Sequence, residues 1–262
     1  MYTWRLFVCL VLWLITAAAV AAQPANSNSS AAAANVATAS RAAEAPTLDG
    51  DVLGDAAWAT ATPITGFTQE QPNEGEPVSE RTEVRVIFTN DTLYIGAVMY
   101  DSDPSGIIIT DARRDSPLDD TDSFQMIVDT YRDRQNGFVF GTNPAGVEYD
   151  GQVTNEGQGG GGQGGGQMQS GGSGAGFNIN WDAAWVVRTK TGEHGWSAEF
   201  AIPFRTLRYP SGASQTWGLN FQRNIRRKNE RDGRAAERAV RQRGRVPRRW
   251  RDEARQAAVL DA

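Results

Sequence analysis

The sequence predicts an all-β fold, a β-sandwich or jelly roll carrying a Gly-rich inserted loop. Between Pro46 and Lys228 apolar and polar residues alternate, the period of strands that bury one face. The alternating runs are short and closely spaced, roughly nine or ten of them, which suits a sandwich and not an α/β fold. Hydrophobic residues make up 40% of the 262, and eight Trp argue against wholesale disorder.

Taken in order, Asp55-Ala56-Ala57-Trp58 and, later, Arg205-Thr206-Leu207 fit short helical turns. Thr82–Thr89 sets Val84, Val86 and Phe88 on one side, and Leu93–Met99 does the same with Leu93, Ile95, Ala97 and Met99. Asn90-Asp91 between them is a hairpin turn, because both residues tolerate left-handed backbone. Phe124/Met126/Val128, Trp196/Ala198/Phe200/Ile202 and Trp217/Leu219/Phe221 repeat the alternation. Shorter strands are expected at Ile107–Ile109, Phe138–Thr142, Gly146–Val153 and Ala184–Thr189, and His194 is expected in a turn at a strand entry. Gly157–Gly176 holds twelve Gly in twenty residues. It lacks the following helix and the Lys-Ser/Thr of a phosphate-cradling loop, so it reads as a flexible insertion.

The ends read differently. Residues 1–22 have a basic start at Arg5, an apolar run from Leu6 to Ile15 and the small residues Val20-Ala21-Ala22, the three parts of a secretory signal. The apolar run is shorter than the ~20 residues that span a bilayer. The protein is therefore expected to be exported, to the periplasm, the outer membrane or the medium. Residues 23–45 are Ala, Ser, Asn and Thr, a disordered linker. The sandwich is placed at 46–228 and an Arg/Ala-rich tail at 229–262, with ten Arg and seven Ala in its last 32 residues. That composition suits a solvated tail or out-of-frame translation of GC-rich DNA, so the tail is not used to infer a nucleic-acid partner.

Charge follows the same division. The formal net charge is −5, yet residues 46–230 carry 14 basic and 25 acidic side chains, and 231–262 carry ten Arg and five acids. The acidic body is the unit that matters for ligands. One Cys (Cys9) and one His (His194) exclude a disulfide framework, a Cys/His zinc site and a Cys-His nucleophile pair.

Two acidic stretches stand out. Asp101-Ser-Asp103-Pro-Ser-Gly106 opens like a calcium loop, although Ala112 stands where such a loop needs a bidentate Glu, and the same residues make a good turn. Asp115, Asp119, Asp120 and Asp122 crowd four carboxylates into eight residues and call for a cation or for Arg partners, with Arg113 and Arg114 nearest. A glycosidase would need two carboxylates about 5–10 Å apart across a cleft. Trp181 and Trp185 beside the Gly-rich loop are either core residues or an aromatic platform.

Several motifs in order resemble the family 9 carbohydrate-binding modules. They are Pro46-Thr-Leu-Asp-Gly50 with Asp55-Ala-Ala-Trp58, Leu93-Tyr-Ile-Gly96 leading to Tyr100-Asp-Ser-Asp-Pro104, and Asp122-Ser-Phe-Gln-Met-Ile-Val-Asp129. Gly195-Trp-Ser-Ala-Glu-Phe-Ala-Ile-Pro-Phe204 with Leu207-Arg208, and Trp217-Gly-Leu-Asn-Phe-Gln-Arg223, complete the set over about 46–228. Arg114-Asp115, Tyr131-Arg-Asp-Arg-Gln-Asn-Gly137, Asn143-Pro-Ala-Gly146 and Asp150 are similar to a subgroup at the N-terminus of large bacterial proteins whose remaining domain is associated with the outer membrane. The resemblance implies a non-catalytic sandwich that binds plant-type polysaccharides such as xylan or cellulose, with structural calcium in some members.

On that pattern the expected ligand-binding residues are Arg114, Asp115, Asp122, Asn143, Asp150 and Arg223, with Trp181 as platform, and Asp101 and Asp103 are the calcium candidates. The family clamps a terminal sugar between two Trp. Leu118-Asp119 stands at the first clamp position here, and Arg/Ala sequence at the second. Three functions follow: a carbohydrate-binding module, a docking domain for a membrane-associated C-terminal domain, and a glycoside hydrolase.

Overall fold

The computed structural model describes residues 37–154, 176–212, 214–234 and 257–261. The segment read as a secretory signal, most of the one read as linker, nearly all of the Gly-rich loop and most of the Arg/Ala-rich tail lie outside the described residues. Thirteen strands are present among those described: β1 (Ala37–Arg41), β2 (Thr68–Gln71), β3 (Thr82–Phe88), β4 (Thr92–Tyr100), β5 (Ser123–Asp129), β6 (Gly137–Thr142), β7 (Tyr149–Val153), β8 (Phe177–Asn178), β9 (Val186–Gly192), β10 (Gly195–Pro203), β11 (Ser214–Ile225), β12 (Glu230–Gly233) and β13 (Ala257–Asp261). One sheet runs β8-β7-β6-β5-β11, with β12 against β11 and β2 against β12; the other runs β3-β4-β10-β9. A parallel pair, β1 and β13, joins them, β13 beside β11 and β1 beside β3. The architecture is the expected all-β sandwich.

The alternation in the sequence builds the core directly. Phe124, Met126 and Val128 of β5, Phe138 and Phe140 of β6, Leu219 and Phe221 of β11, and Trp196, Ala198, Phe200 and Ile202 of β10 meet between the sheets. Trp185 is buried there and stacks on Phe200 at 5.7 Å with 4° between ring planes, so of its two readings the core one holds. Asn90-Asp91 turns the β3–β4 hairpin as expected, and His194 sits in the β9–β10 turn.

The β3–β4–β10 sheet is buried on both faces, which alternation alone does not reveal. Residues 42–61 cross its outer face, where Val52, Trp58 and Ala61 pack on Ile87, Tyr94, Val98 and Ala201. A Cβ on Gly96 would lie 3.0 Å from the Trp58 ring, so only glycine lets the indole lie flat on the strand. Gly50 has φ +87°, and a Cβ there would meet the Thr189 carbonyl carbon at 2.4 Å. Trp58 Nε1 and the Asp49 and Gly50 amides all donate to the buried carboxylate of Glu199.

Three sequence expectations shift. Ile107–Ile109 is not a strand: Ile108 bonds only to Asp122 and Thr121, and Ile109 is exposed. β1 falls in the segment read as linker, with Ala39 buried. Strands β12 and β13 fall in the segment read as tail, because Asp232 and Glu230 bury against the sheet and Ala257–Asp261 pairs with both β11 and β1.

Candidate functional site

The sequence-selected residues separate into two polar groups at one end of the sandwich. The first gathers on Arg114, in the loop between β4 and β5. Its guanidinium donates to Glu148 at 2.6 Å, to Asp150 at 2.6 Å and to Asp182 at 2.5 Å, and its Nε lies 3.7 Å from Asp115. Asp150 is almost fully buried, and its other oxygen accepts the Ala183 amide at 2.8 Å. Burial raises the Asp150 pKa above the usual carboxylate range, against the pull of the Ala183 amide and of Arg114. Glu148, Asp115 and Asp182 stay partly or largely open to solvent.

Of the four carboxylates around the guanidinium, Glu148, Asp115 and Asp182 keep acceptor lone pairs facing water while Asp150 is spent inward, and partly exposed Arg114 fixes their directions. Adjacent hydroxyls on a pyranose are suitable donors to such acceptors. Trp181, next to Asp182, is half-buried and rests on Phe138 at 4.9 Å and edge-on to Phe140 at 6.0 Å. It is therefore an anchored ring on the core that keeps part of its surface open.

Asn143 lies close to this group but works for the backbone. Its amide donates to the Asp111 carbonyl at 2.7 Å and its oxygen accepts from Ala145 and Val147, fixing the Asn-Pro-Ala-Gly turn. Asp122 is buried, accepts from Ile108 at 2.8 Å and pins the 107–109 segment.

The second group surrounds Arg223. Its side chain, fully buried on β11, crosses to the opposite sheet and donates to the carbonyls of Tyr100 at 2.7 Å and Arg81 at 3.1 Å. Asp122 and Arg223 thus tie the fold together and offer no surface to a ligand. Asp101 accepts from the Asp103 amide and from Arg227, with Arg223 3.9 Å away, and Asp103 accepts the Ser105 hydroxyl. Glu80 accepts from Ser102, Lys228 and Arg227. Burial of Glu80 is outweighed by those donors, which hold its pKa at about 2.

These residues do not fit a calcium ion. Arg227, Arg223 and Lys228 already supply positive charge to Glu80 and Asp101. Among the described residues, no group of three or more His, Cys, Asp or Glu is placed to hold a metal.

Of the four clustered acids, Asp115 lies 3.7 Å from Arg114 as expected, whereas Asp119 and Asp120 find arginines far along the chain. Arg113 pairs with Asp111, Arg226 lies 3.5 Å from Asp120 and Arg231 3.3 Å from Asp119. Leu118, at the first clamp position, is buried, and a Cβ on Gly141 would touch it at 2.7 Å. Sequence reasoning missed Glu148, Asp182, Glu80 and Glu199. The first three join arginines 34 to 147 positions away, a pairing that no local spacing signals.

No family profile and no curated protein matches the chain. Solved structures do. A family 9 carbohydrate-binding module from Caldicellulosiruptor kristjanssonii, in complex with glucose, superposes with TM-score 0.52 at 14% identity, covering 86% of this chain and 94% of that one. The same organism's module in complex with cellotriose gives TM-score 0.50 at 14% identity, over 86% and 92%. A protein from Bacteroides uniformis described as carbohydrate-binding gives 0.53 at 8% identity, over 86% and 98%. The chain shares the β-sandwich fold of these modules.

Proposed function

We propose that the protein is an exported, non-catalytic carbohydrate-binding module for plant-type β-glycans such as cellulose or xylan, acting in polysaccharide catabolism. The observation that carries this reading is the shared fold, over 86% of the chain, with modules crystallised with glucose and cellotriose. The Arg114 group supports it. Asp182, Glu148 and Asp115 supply outward acceptors for sugar hydroxyls, Arg114 orients them, and Trp181 offers a ring beside them. Retention of the full chain on insoluble cellulose and xylan tests the reading. Retention that falls when Asp182 and Trp181 are replaced supports it, and none on either polymer overturns it.

A second reading, a docking domain for a membrane-associated partner domain, is favoured by one observation. Leu118 is buried on the sheet where the family presents a sugar-clamping aromatic. Co-purification with an outer-membrane fraction, together with no retention on any glycan, would select it.

A further inference from the structure

The opposite end of the sandwich carries exposed basic side chains in a different state. Around Arg114 and Arg223 the arginines are spent on carboxylates. At the far end, where the 89–91, 130–136 and 204–212 connections meet, Arg132 and Arg208 are exposed and enter no ion pair among the described residues. Arg205 is also exposed, near Asp91.

Two hydrogen bonds fasten these connections into one surface. The Phe204 amide donates to the Asp91 carbonyl at 2.8 Å, and the Thr130 hydroxyl donates to the Arg208 carbonyl at 2.5 Å. Tyr131 and Arg132 of one connection thereby stand alongside Arg208 and Tyr209 of the other.

Of the acids at this end only Asp129 is buried; Asp91 and Asp133 are exposed, but both accept local hydrogen bonds, Asp91 from Thr89 and Thr92 and Asp133 from the Asn136 side chain. Asp129 is buried and accepts the amides of Tyr131 at 3.2 Å and Arg134 at 2.9 Å. Asp133 accepts the amides of Gln135 and Asn136, both at 2.8 Å. Those bonds hold Arg132 and Arg134 at φ +54° and +59°, a left-handed backbone that non-glycine residues rarely adopt. The carboxylates are engaged in these local hydrogen bonds, and the Arg132 and Arg208 guanidiniums are exposed beside them with no ion pair among the described residues. Two aromatic rings accompany them: Tyr131 is 52% exposed, and Tyr209, 37% exposed, is held by Phe204 at 6.2 Å and Trp217 at 5.4 Å.

We propose that this end is a second glycan site, taking a neutral pyranose chain that carries sparse uronic acid groups, as glucuronoxylan does. The tyrosine rings accept pyranose faces, and Arg132 with Arg208 holds the carboxylate in charge-assisted, bidentate hydrogen bonds. A densely charged polyanion such as a nucleic acid is disfavoured. Residues 46–230 carry 25 acids against 14 basic groups, and two or three guanidiniums do not offset that field along a chain charged at every unit.

The test measures retention of the full chain in native gels cast with glucuronoxylan or with the same polymer after carboxyl reduction. The wild type binds the carboxylated polymer at least about ten-fold more tightly. The Arg132→Gln/Arg208→Gln double variant loses that difference, Tyr131→Ala weakens binding to both polymers, and Asp182→Ala leaves the carboxylate preference intact. Equal retention of the two polymers, retention of neither, a double variant that keeps the preference, or tighter binding to single-stranded DNA overturns the proposal. A carboxylate preference that persists while cello-oligosaccharides give no binding would overturn the Arg114 reading and leave this site standing.

Discussion

Trp58 and Glu199, 141 positions apart, meet through a 2.8 Å hydrogen bond from the indole nitrogen to the carboxylate. The same carboxylate takes the amides of Asp49 and Gly50 at 2.9 and 2.7 Å, while the Ser197 hydroxyl donates to the Gly50 carbonyl. One acid on β10 thus clasps the whole N-terminal crossing over the outer face of its sheet. Glu199→Ala strips two buried donors, and the part-buried Asp49 amide, of their acceptor, at about 1–3 kcal/mol for each buried one. The expected result is a fall in Tm of about 10 °C or more. Thermal unfolding followed by circular dichroism checks it, and a change within a degree or two would refute the clasp.

Gly50 gives a related prediction from backbone geometry. Its φ of +87° and the 2.4 Å approach of a hypothetical Cβ to Thr189 leave no room for alanine. Gly50→Ala is expected to cost more than about 2 kcal/mol, read as a lower denaturation midpoint with an unchanged slope.

The Arg227 pairing makes a prediction about metal. Arg227 bonds both Glu80 and Asp101, whose side chains are almost wholly buried. Arg227→Met leaves those charges short of a partner and should destabilise the fold by about 3 kcal/mol. Because arginine already serves as the cation there, neither EDTA nor added calcium should move the wild-type Tm. A calcium-dependent rise in that Tm would contradict the assignment.

Asp232 makes stability depend on pH. It is fully buried on β12 opposite Arg223, it faces Glu230 of β12 and Glu70 of β2, and neither of its oxygens receives a donor. Burial first, and Glu230 second, push its pKa up to about 8, against the pull of Arg223. A raised folded-state pKa means that the folded protein holds the proton more tightly than the unfolded chain. The resulting stabilisation is full below about pH 4, declines as pH rises and is gone once pH passes through the folded value. Asp232→Asn should match the wild type near pH 4 and exceed its Tm by about 5 °C at pH 8. A difference that does not vary with pH would count against this.

Much of the fold was legible because its signals are local. Period-two alternation placed β3, β4, β5, β10 and β11, and Asn90-Asp91 placed their hairpin. What was hidden is what the chain brings together from afar. Trp58 and Glu199 each sit in a recognisable motif, yet neither motif states that the two bond. Arg223 read as a ligand contact because arginines on a sugar-binding pattern suggest one, and only the packing shows it crossing the core to Tyr100. Strand β13 escaped because Arg-rich surroundings mask a four-residue apolar run. Arg114 and Asp150 were chosen from the sequence and do meet; Glu148 and Asp182, which complete their group, carry no spacing that marks them.

The central claim is that the Arg114 group makes this sandwich a glycan binder. Calorimetric titration of the folded full chain with cellotriose and xylotriose tests it most directly. Saturable heat at one site, weakened about three- to ten-fold by Asp182→Ala at unchanged Tm, is the predicted result. No heat with either oligosaccharide, or heat that Asp182→Ala leaves untouched, would contradict it.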